Sequence, residues 1–412
     1  MSGVDHKSAA AAGRMVDHLF RHQHAPILGA LVRQFGPAHL ALAEECLQDA
    51  FLRALQTWPF HGIPPNPAAW LTLVARRRAL DQLRRPVATA TAEPAVPPHA
   101  LPTLGDDTLE LIFLCCHPSL PPDAQLALTL KSVAGLSTAE IARAFFTQEA
   151  TVAQRIVRAK RAIAGGGLSF HVPFDAHLAP RLDSVCRVLY LMFNEGYSAS
   201  GGDRLLREDL CHEAIRLVAL LAANAATGRP TVHALAALFC LQAARLSARV
   251  DDAGDLLTLD LQDRSLWDRP LLAAGFHHLG LSACGDALTA WHLEAEIASL
   301  HASAPTFAAT DWTRMAAAYE TLFQLSPSPA VRLSWAVALS YAQSPAAALA
   351  LMAPLAGDPA MERYHLHAAI LADFHARLGD AATARACLER ALALAPTTAE
   401  RHLLARRLAL FP

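Results

Sequence analysis

The sequence predicts an all-α protein with two small N-terminal helical domains and a larger helical-repeat domain. Nearly every segment is rich in Ala, Leu and Arg with apolar residues three or four positions apart, whereas the Val/Ile/Thr alternation of strands is scarce. Two stretches interrupt this pattern. Residues 86–106 carry five prolines, which indicates a linker that is partly extended. The run Gly165-Gly166-Gly167, followed by Pro173, is typical of a helix end.

These interruptions divide the chain into three blocks, and a linker joins the first block to the second. The blocks are 1–85, 107–165 and 172–412, with the Pro-rich linker at 86–106. At roughly 150 residues per domain, a chain of 412 residues is expected to hold two or three domains, each able to bury a core.

Composition excludes several classes of protein. Eight scattered cysteines without a C-x-x-C pair are typical of buried thiols in a reduced compartment, not of a disulfide framework. No stretch reaches the eighteen apolar residues of a membrane span, and residues 9–12 are too short for the core of a signal peptide. We therefore expect a cytoplasmic protein that does not enter a membrane.

The first block contains a helix followed by an arginine-rich helix. Residues 43–55 are amphipathic, residues 58–67 read as a loop with aromatic side chains, and residues 68–85 read as a second helix with five arginines in its last ten positions. Cations that hold phosphates beside rings that stack on bases suit a strand-separated duplex.

The second block carries a helix-turn-helix pattern. Ser137 and Glu140 form a capping box that opens a short helix, and a second helix is expected to start at Thr147 and to run to about Ile163. On its helical wheel one stripe is apolar, and Lys160 lies outside the polar face. The apolar stripe consists of Val152, Ile156, Ala159 and Ile163. The polar face consists of Thr151, Gln154, Arg155, Arg158 and Arg161.

That polar face suits readout of the major groove, where Gln bridges adenine and Arg bridges guanine. The whole chain has a net charge of −2, which would seem to argue against DNA binding, yet residues 131–161 hold six cations against two carboxylates. The near-neutral total therefore conceals a basic segment. The alternative is a solvated charged helix face.

The third block contains a weak internal repeat. Residues 319–327 align with residues 388–396 at an offset of 69, roughly two periods of the 34-residue tetratricopeptide (TPR) unit. Helix pairs of this kind stack to bury their apolar faces. The alternative is a helical bundle rich in Ala.

These motifs, in this order, resemble a known family. The stretch NPAAWLTLVARRRALDQLRR, the proline linker and LSTAEIARAFFTQEATVAQRIVRAKRAI are similar to regions 2 and 4 of an extracytoplasmic-function (ECF) sigma factor of bacterial RNA polymerase. The stretches DDTLELIFLCCHPSLPPDAQLALTL, VLYLMFNEGYSASGGDRLLREDLCHEAIRL and QDRSLWDR resemble the ECF group with a long TPR-like C-terminal extension. The resemblance covers nearly the whole chain after about residue 15.

The resemblance implies three functional surfaces. Core polymerase would bind around Glu44, Glu45, Gln48, Asp49 and Arg53. The −10 promoter element would be melted and read by His61, Asn66, Trp70, Arg76, Arg77, Arg78, Arg84 and Arg85, although Trp70 is as readily explained as a core anchor. The −35 element would be read as duplex by the polar face of the second block: Thr151, Gln154, Arg155, Arg158 and Arg161.

The extension is expected to contact the DNA-reading domains or the polymerase and to regulate the factor in place of a separate anti-sigma protein. Eight residues are candidates for an inter-domain contact, or alternatively fix turns inside the extension: Asn194, Glu195, Tyr197, Asp203, Asp263, Arg264, Trp267 and Asp268.

No catalytic constellation, phosphate loop or nucleophile elbow stands out, so we expect no enzymatic activity and no cofactor. Cys115-Cys116-His117 invites a zinc site, but adjacent cysteines fit one tetrahedral site poorly, so we assign them to packing and predict no metal. The second candidate function is a stand-alone helix-turn-helix regulator whose repeat domain binds a peptide or small ligand. Such a regulator would not need the arginine-rich helix of the first block.

Overall fold

The computed structural model describes residues 6–84, 106–144, 147–170, 178–197, 208–251 and 255–411. These residues are mostly helical with no β-strand among them, which confirms the predicted all-α class. The chain forms two compact units, Met1–Met192 and Phe193–Pro412, and the boundary falls within a helix. Linker residues 86–105 lie outside the described part of the chain.

The first unit begins with three helices and continues with four shorter ones and the start of a long helix. Their bounds are α1 His6–Phe35, α2 Leu40–His61, α3 Pro67–Arg84, α4 Asp107–Cys115, α5 Pro122–Ser132, α6 Thr138–Ala144, α7 Glu149–Gly165 and α8 Leu178–Tyr197.

Helices α1 to α3 pack around a shared apolar core, in which Leu28, Leu47 and Leu71 are fully buried. Helix α7 ends at Gly165, and Gly167 has a φ of +58°. Glycine tolerates this left-handed backbone, so the predicted helix end is present.

The second unit contains eleven helices among its described residues. Their bounds are α9 Glu208–Ala223, α10 Pro230–Ala243, α11 Arg269–Ser282, α12 Ala290–Ser303, α13 Trp312–Leu325, α14 Pro329–Ala342, α15 Pro345–Met352, α16 Pro359–Glu362, α17 His365–Arg377, α18 Ala381–Leu394 and α19 Thr398–Leu408.

Consecutive helices of the second unit pack as neighbours. Helices α13 and α18 have the same length and lie 69 positions apart at both ends, which is the offset of the internal repeat. Gly379, with a φ of +84°, and the N-cap Asp380 make the turn before α18. The repeat pattern of the sequence therefore corresponds to a repeated helix in the structure.

One stretch of the second unit, Pro230–Ala248, is apolar and long enough to cross a membrane by length and composition. However, 72% of its most apolar window is buried inside the protein. Val232, Leu235 and Phe239 are fully buried. The Phe239 ring stacks on the Phe193 ring, with 4.4 Å between the ring centroids. These contacts are typical of a core helix.

Candidate functional site

The helix-turn-helix of the first unit forms as the sequence predicts. Ser137 Oγ accepts a hydrogen bond from the Glu140 backbone N–H at 3.1 Å, and Glu140 Oε2 accepts one from the Ser137 N–H at 2.7 Å. Helix α7 buries the predicted apolar stripe: Val152, Ile156, Ala159 and Ile163.

Helix α7 begins two residues later than expected. The Thr147 N–H donates back to the Ala142 carbonyl at 2.9 Å, so Thr147 still belongs to the turn after α6. Gln148 is the N-cap and Glu149 the first helical residue.

The polar face of α7 remains open in this unit. Gln154, Arg158 and Arg161 are exposed, and Thr151 is half-buried. Arg155 donates to Asp123 of α5, with 3.2 Å between Nη2 and Oδ2. One cation of the face therefore has a carboxylate partner within the unit, while its neighbours face solvent.

Helix α3 presents its arginines to solvent with one exception. Arg76, Arg77 and Arg84 are exposed, whereas Arg78 forms an ion pair with Asp49 of α2. Arg85 lies outside the described residues. Three of the α3 arginines therefore face solvent, and the fourth, Arg78, links α3 to α2 through its ion pair.

The segment between α2 and α3 is shorter than the predicted loop. Helix α2 continues through Trp58 and Pro59 to His61 and ends at Gly62, whose φ is +82°. The helix persists because Trp58 is buried and packs edge-on against Trp70 at 5.4 Å. The loop therefore spans only residues 62–66.

The two candidate base readers in and beside this loop already have local contacts. Asn66 Oδ1 accepts from the Ala69 N–H at 3.0 Å and so caps α3, and His61 Nδ1 lies 3.1 Å from the Thr57 carbonyl. Both residues are exposed. Trp70 is half-buried against Trp58, which is the contact expected of a core anchor.

One face of α2 is exposed and partly apolar. Glu45, Gln48, Leu52 and Leu55 recur at spacings of three and four and lie on one side of the helix, with Leu52 55% and Leu55 43% exposed. Arg53 is exposed beside them. We call Glu45, Gln48, Leu52 and Leu55 the outer stripe. Sequence reasoning missed the two leucines, although their position off the buried face was a usable signal.

Glu44 lies at the edge of the outer stripe, one turn before Gln48 on α2, and is 6% exposed. Its Oε1 accepts a hydrogen bond from Ser132 Oγ of α5 at 2.5 Å, and its Oε2 pairs with the Lys160 ammonium of α7. His24 of α1, 5% exposed, borders the same contact. These four residues form what we call the Glu44 cluster, which joins α1 and α2 to the helix-turn-helix.

A second contact joins α1 to the start of α4. Gly29 lies so close to Asp107 that a Cβ at this position would stand 2.5 Å from the Asp107 carbonyl oxygen. Arg33 pairs with the Asp107 carboxylate at 3.2 Å. The pKa of Asp107 is raised, chiefly by burial, while Arg33 pulls it down. Only glycine allows this approach of helix and backbone.

We expect the Glu44 cluster to weaken in mild acid. Burial is the largest cause that lowers the pKa of His24 below 6.5, and Lys131 and Lys160 add to it, while Glu44 and the Ser132 backbone oppose it. A histidine whose pKa is lowered in the folded protein stays neutral above pH 6.5 and does not then oppose packing. As the pH falls below that value, the unfolded chain takes up the proton more readily than the folded one, so the folded state loses stability.

The measurement is thermal denaturation at pH 7.5 and 5.5. The loss of Tm on acidification should be smaller in His24→Phe than in the wild type, because Phe cannot take up a proton. An equal loss in both proteins would contradict this assignment.

Five of the eight inter-domain candidates make contacts within the second unit: Tyr197, Asp263, Arg264, Trp267 and Asp268. The Arg249 guanidinium lies 3.8 Å from the centre of the Tyr197 ring, Arg264 donates to the His301 and Ala304 carbonyls, and Trp267 is buried. Asp263 and Asp268 cap the helices that follow them. Asn194 is exposed, Glu195 is buried, and Asp203 lies outside the described residues.

Cys115 and Cys116 are buried in and beside α4. Burial raises the pKa of Cys116 to about 12, so the thiol is protonated at neutral pH. No group of three metal-ligating side chains occurs among the described residues.

The fold and these surfaces define a helical DNA-binding protein with two separate basic elements, the arginine-rich α3 and the helix-turn-helix. Residues 20–87 match the sigma-70 region 2 family and residues 110–163 match sigma-70 region 4. Residues 181–283 match a family of unknown function (DUF6596). The chain belongs to the sigma-70 family and carries a C-terminal extension, an architecture consistent with the ECF group.

An uncharacterized protein of Rhizobium meliloti (strain 1021) is 39% identical over 390 residues, which is 90% of each chain. No solved structure matches this chain. A match of this length covers most of both units of the chain.

Proposed function

We propose that this sigma factor binds core RNA polymerase, directs it to promoters by reading −10 and −35 elements, and helps to open the duplex. The observation that carries the proposal is the presence of an exposed arginine-rich helix and a helix-turn-helix in one chain that matches regions 2 and 4. It would act in the cytoplasm and needs no catalytic group of its own.

The outer stripe supports a polymerase-binding role for α2. Two leucines exposed among polar residues offer an apolar centre with a polar rim, which is the usual anatomy of a protein interface. Glu45, Gln48 and Arg53 remain candidates on this surface. Glu44 and Asp49 are engaged by Lys160 and Arg78, so they could contact polymerase only after those pairs break.

The exposed arginines of α3 support a role at the −10 element. Arg76, Arg77 and Arg84 can neutralise phosphates of a separated strand, while Asn66 and His61 sit at the adjoining loop. To read a base edge, Asn66 would have to break its capping hydrogen bond to α3. Losing such a cap costs about 1 kcal/mol.

Arg155 is the clearest candidate for a base contact at the −35 element, because Asp123 already orients its guanidinium. We expect Arg155→Ala to cost about 1 to 3 kcal/mol at a cognate −35 duplex if Arg155 bridges guanine. Binding to cognate and scrambled duplexes, measured by fluorescence anisotropy, tests this.

The matched variant is Arg155→Lys, which keeps the charge and removes the bidentate fork. Loss of discrimination in Arg155→Lys supports base reading. Retained discrimination in Arg155→Lys, together with a reduced salt slope in Arg155→Ala, would assign Arg155 to a phosphate.

We also propose that the extension regulates initiation by packing on the DNA-reading regions or on the polymerase. Its size and its match to one family over residues 181–283 support a dedicated module. The second candidate function gains one observation: the second unit contains a half-open pocket of about 610 Å³, within the range of ligand sites, with Phe307, Trp312 and Tyr341 among its lining residues. A ligand could therefore act on this module.

The deciding experiment is promoter-specific transcription with purified core polymerase. The full-length chain should direct transcription from its own promoter, and a truncation after Tyr197 should alter that activity. Failure of the full-length chain to associate with core polymerase would overturn the initiation function, and equal activity of both forms would remove the regulatory role of the extension.

A further inference from the structure

The pocket of the second unit is walled by parts of the chain that lie far apart in sequence. Residues 256–261 form one wall, and helices α13, α14, α17 and α19 supply most of the others. Arg406 of α19 donates to the Leu256 carbonyl at 3.1 Å and pairs with Asp255 at 3.3 Å, so this wall is fastened to the C-terminal helix. The pocket is therefore a product of tertiary packing and not a groove along one helix pair.

Most of the lining is apolar, and aromatic rings form one side of it. Between centroids, the Phe307 ring lies 5.0 Å from the Trp312 ring and 5.3 Å from the Tyr341 ring, and Trp312 and Tyr341 stack at 4.5 Å. Met315 and Ile370 add aliphatic surface. A pocket of about 610 Å³ with this lining suits a small apolar molecule, because drug-sized ligands occupy pockets of about 300 to 1,000 Å³.

The charged groups of the lining are mostly negative. Three carboxylates and one guanidinium belong to it: Asp260, Asp373, Glu400 and Arg407. His301 adds no charge at neutral pH, because its pKa is lowered to about 3, chiefly by burial and also by Arg245 and Arg264. His365 lies 3.2 Å from Glu400, and even a protonated His365 leaves the lining net negative. A concave site with apolar walls concentrates such a field and attracts cations.

Two of the three carboxylates already have partners inside the unit. Asp373 lies between Arg377 and Arg407, at 3.5 Å and 3.3 Å. Glu400 pairs with His365 and also completes the capping box at the start of α19. These two groups are therefore committed to the fold.

Asp260 is the carboxylate that remains open to a ligand. It is exposed and forms no ion pair with any residue in the described part of the chain. The pKa of Tyr341 is raised by burial, by Asp373 and, to a smaller extent, by Asp260. The Asp260 carboxylate therefore lies near the aromatic side of the pocket.

The aromatic side also favours a cation. The faces of Trp and Tyr rings carry negative charge density, and a cation within about 6 Å of the ring centre is attracted to them. One such contact already exists inside the protein, because the Arg377 guanidinium lies 4.3 Å from the centre of the Tyr341 ring. The rings and Asp260 together select a positive charge that is attached to an apolar body.

We propose that this pocket binds a hydrophobic monocation, which is an apolar or aromatic molecule of drug size that carries one positive charge. The charge lies at Asp260 beside the aromatic rings, and the apolar body fills the interior near Met315 and Ile370. The proposal names the ligand class of the extension. Binding itself is independent of transcription, and only its effect on initiation rests on the proposed regulatory role of the extension.

The experiment compares tetraphenylphosphonium and tetraphenylborate, two probes of nearly the same size and shape whose charges have opposite sign. Isothermal titration calorimetry on the full-length chain should show one site for tetraphenylphosphonium with a micromolar dissociation constant, the strength expected of about 25 non-hydrogen atoms. Tetraphenylborate should bind at least about 10-fold more weakly. Equal or tighter binding of tetraphenylborate would overturn the proposal.

Asp260→Asn is the discriminating variant, because it removes the charge and keeps the shape of the side chain. It should weaken tetraphenylphosphonium binding about 5-fold or more, since a pair of unit charges about 4 Å apart contributes that much even in a water-like dielectric. Asp286→Asn is the matched control, because Asp286 is exposed in the same unit and lies outside the pocket lining. Wild-type affinity in Asp260→Asn, or equal losses in both variants, would contradict the proposal.

Leu366→Arg is the second variant. Leu366 lines the pocket and is 43% exposed, so an arginine can be placed there without disturbing the core. The added cation should weaken tetraphenylphosphonium binding and strengthen tetraphenylborate binding, each by about 5-fold or more. Unchanged affinities for both probes would count against the site. Binding with these variant effects, in a chain that fails to associate with core polymerase, would support the ligand site and overturn the initiation function instead.

Discussion

Replacing both Leu52 and Leu55 by Glu should abolish stable binding to core RNA polymerase. Each leucine that is buried in an interface contributes about 1.5 to 3 kcal/mol, and each new carboxylate would have to be desolvated without a partner. The dissociation constant should rise by at least about 100-fold. Surface plasmon resonance with immobilised core enzyme measures the change.

Leu325→Glu provides the control for this prediction. Leu325 is 49% exposed and lies in the C-terminal extension, so its substitution adds one carboxylate, half the charge of the double variant, outside the outer stripe. Wild-type affinity in the Leu52/Leu55 double variant would assign polymerase binding to another surface. Equal losses in both variants would show that added charge alone, and not the outer stripe, weakens binding.

Removing three cations from α3 should produce the second large effect. In the Arg76→Ala, Arg77→Ala, Arg84→Ala triple variant, open-complex formation should fall on the order of 100-fold at physiological salt. The slope of log K against log salt should also decrease by about 2 to 3, because each neutralised phosphate contributes roughly 0.7 to 0.9. Permanganate footprinting and a salt titration of the holoenzyme measure both quantities.

Arg78→Ala is the matched control on the same helix. Arg78 is ion-paired with Asp49, so its loss should lower the thermal stability of the first unit and leave the salt slope close to that of the wild type. A change in slope equal to one third of that in the triple variant would show that Arg78 also contacts phosphate and that its pair with Asp49 opens on DNA.

Local patterns allowed much of the fold to be predicted. The apolar stripe of α7 and the capping box of Ser137 and Glu140 depend on neighbours within one or two turns, and both are present in the structure. The helical wheel also placed Lys160 off the polar face, and the structure gives it a partner elsewhere. Periodicity and capping are local properties, which is why they can be read from sequence.

Contacts between distant residues could not be predicted in the same way. The sequence offered Glu44 as one acid among several on an amphipathic helix, while the structure buries it against partners 88 and 116 positions later. The continuation of α2 through Pro59 depends on the packing of Trp58 against Trp70, which propensity alone does not reveal. Tertiary packing decided both cases.

The long sequence separation within the Glu44 cluster has a consequence for the time course of synthesis. A ribosome that adds about 5 to 20 residues per second needs roughly 6 to 23 s to pass from Glu44 to Lys160, which is 116 positions further on. During that interval the Lys160 ammonium that pairs with Glu44 in the finished protein has not yet been made. The buried carboxylate therefore gains its charged partner only once the last helix of the helix-turn-helix has been synthesised, so the contact between α2 and α7 forms late.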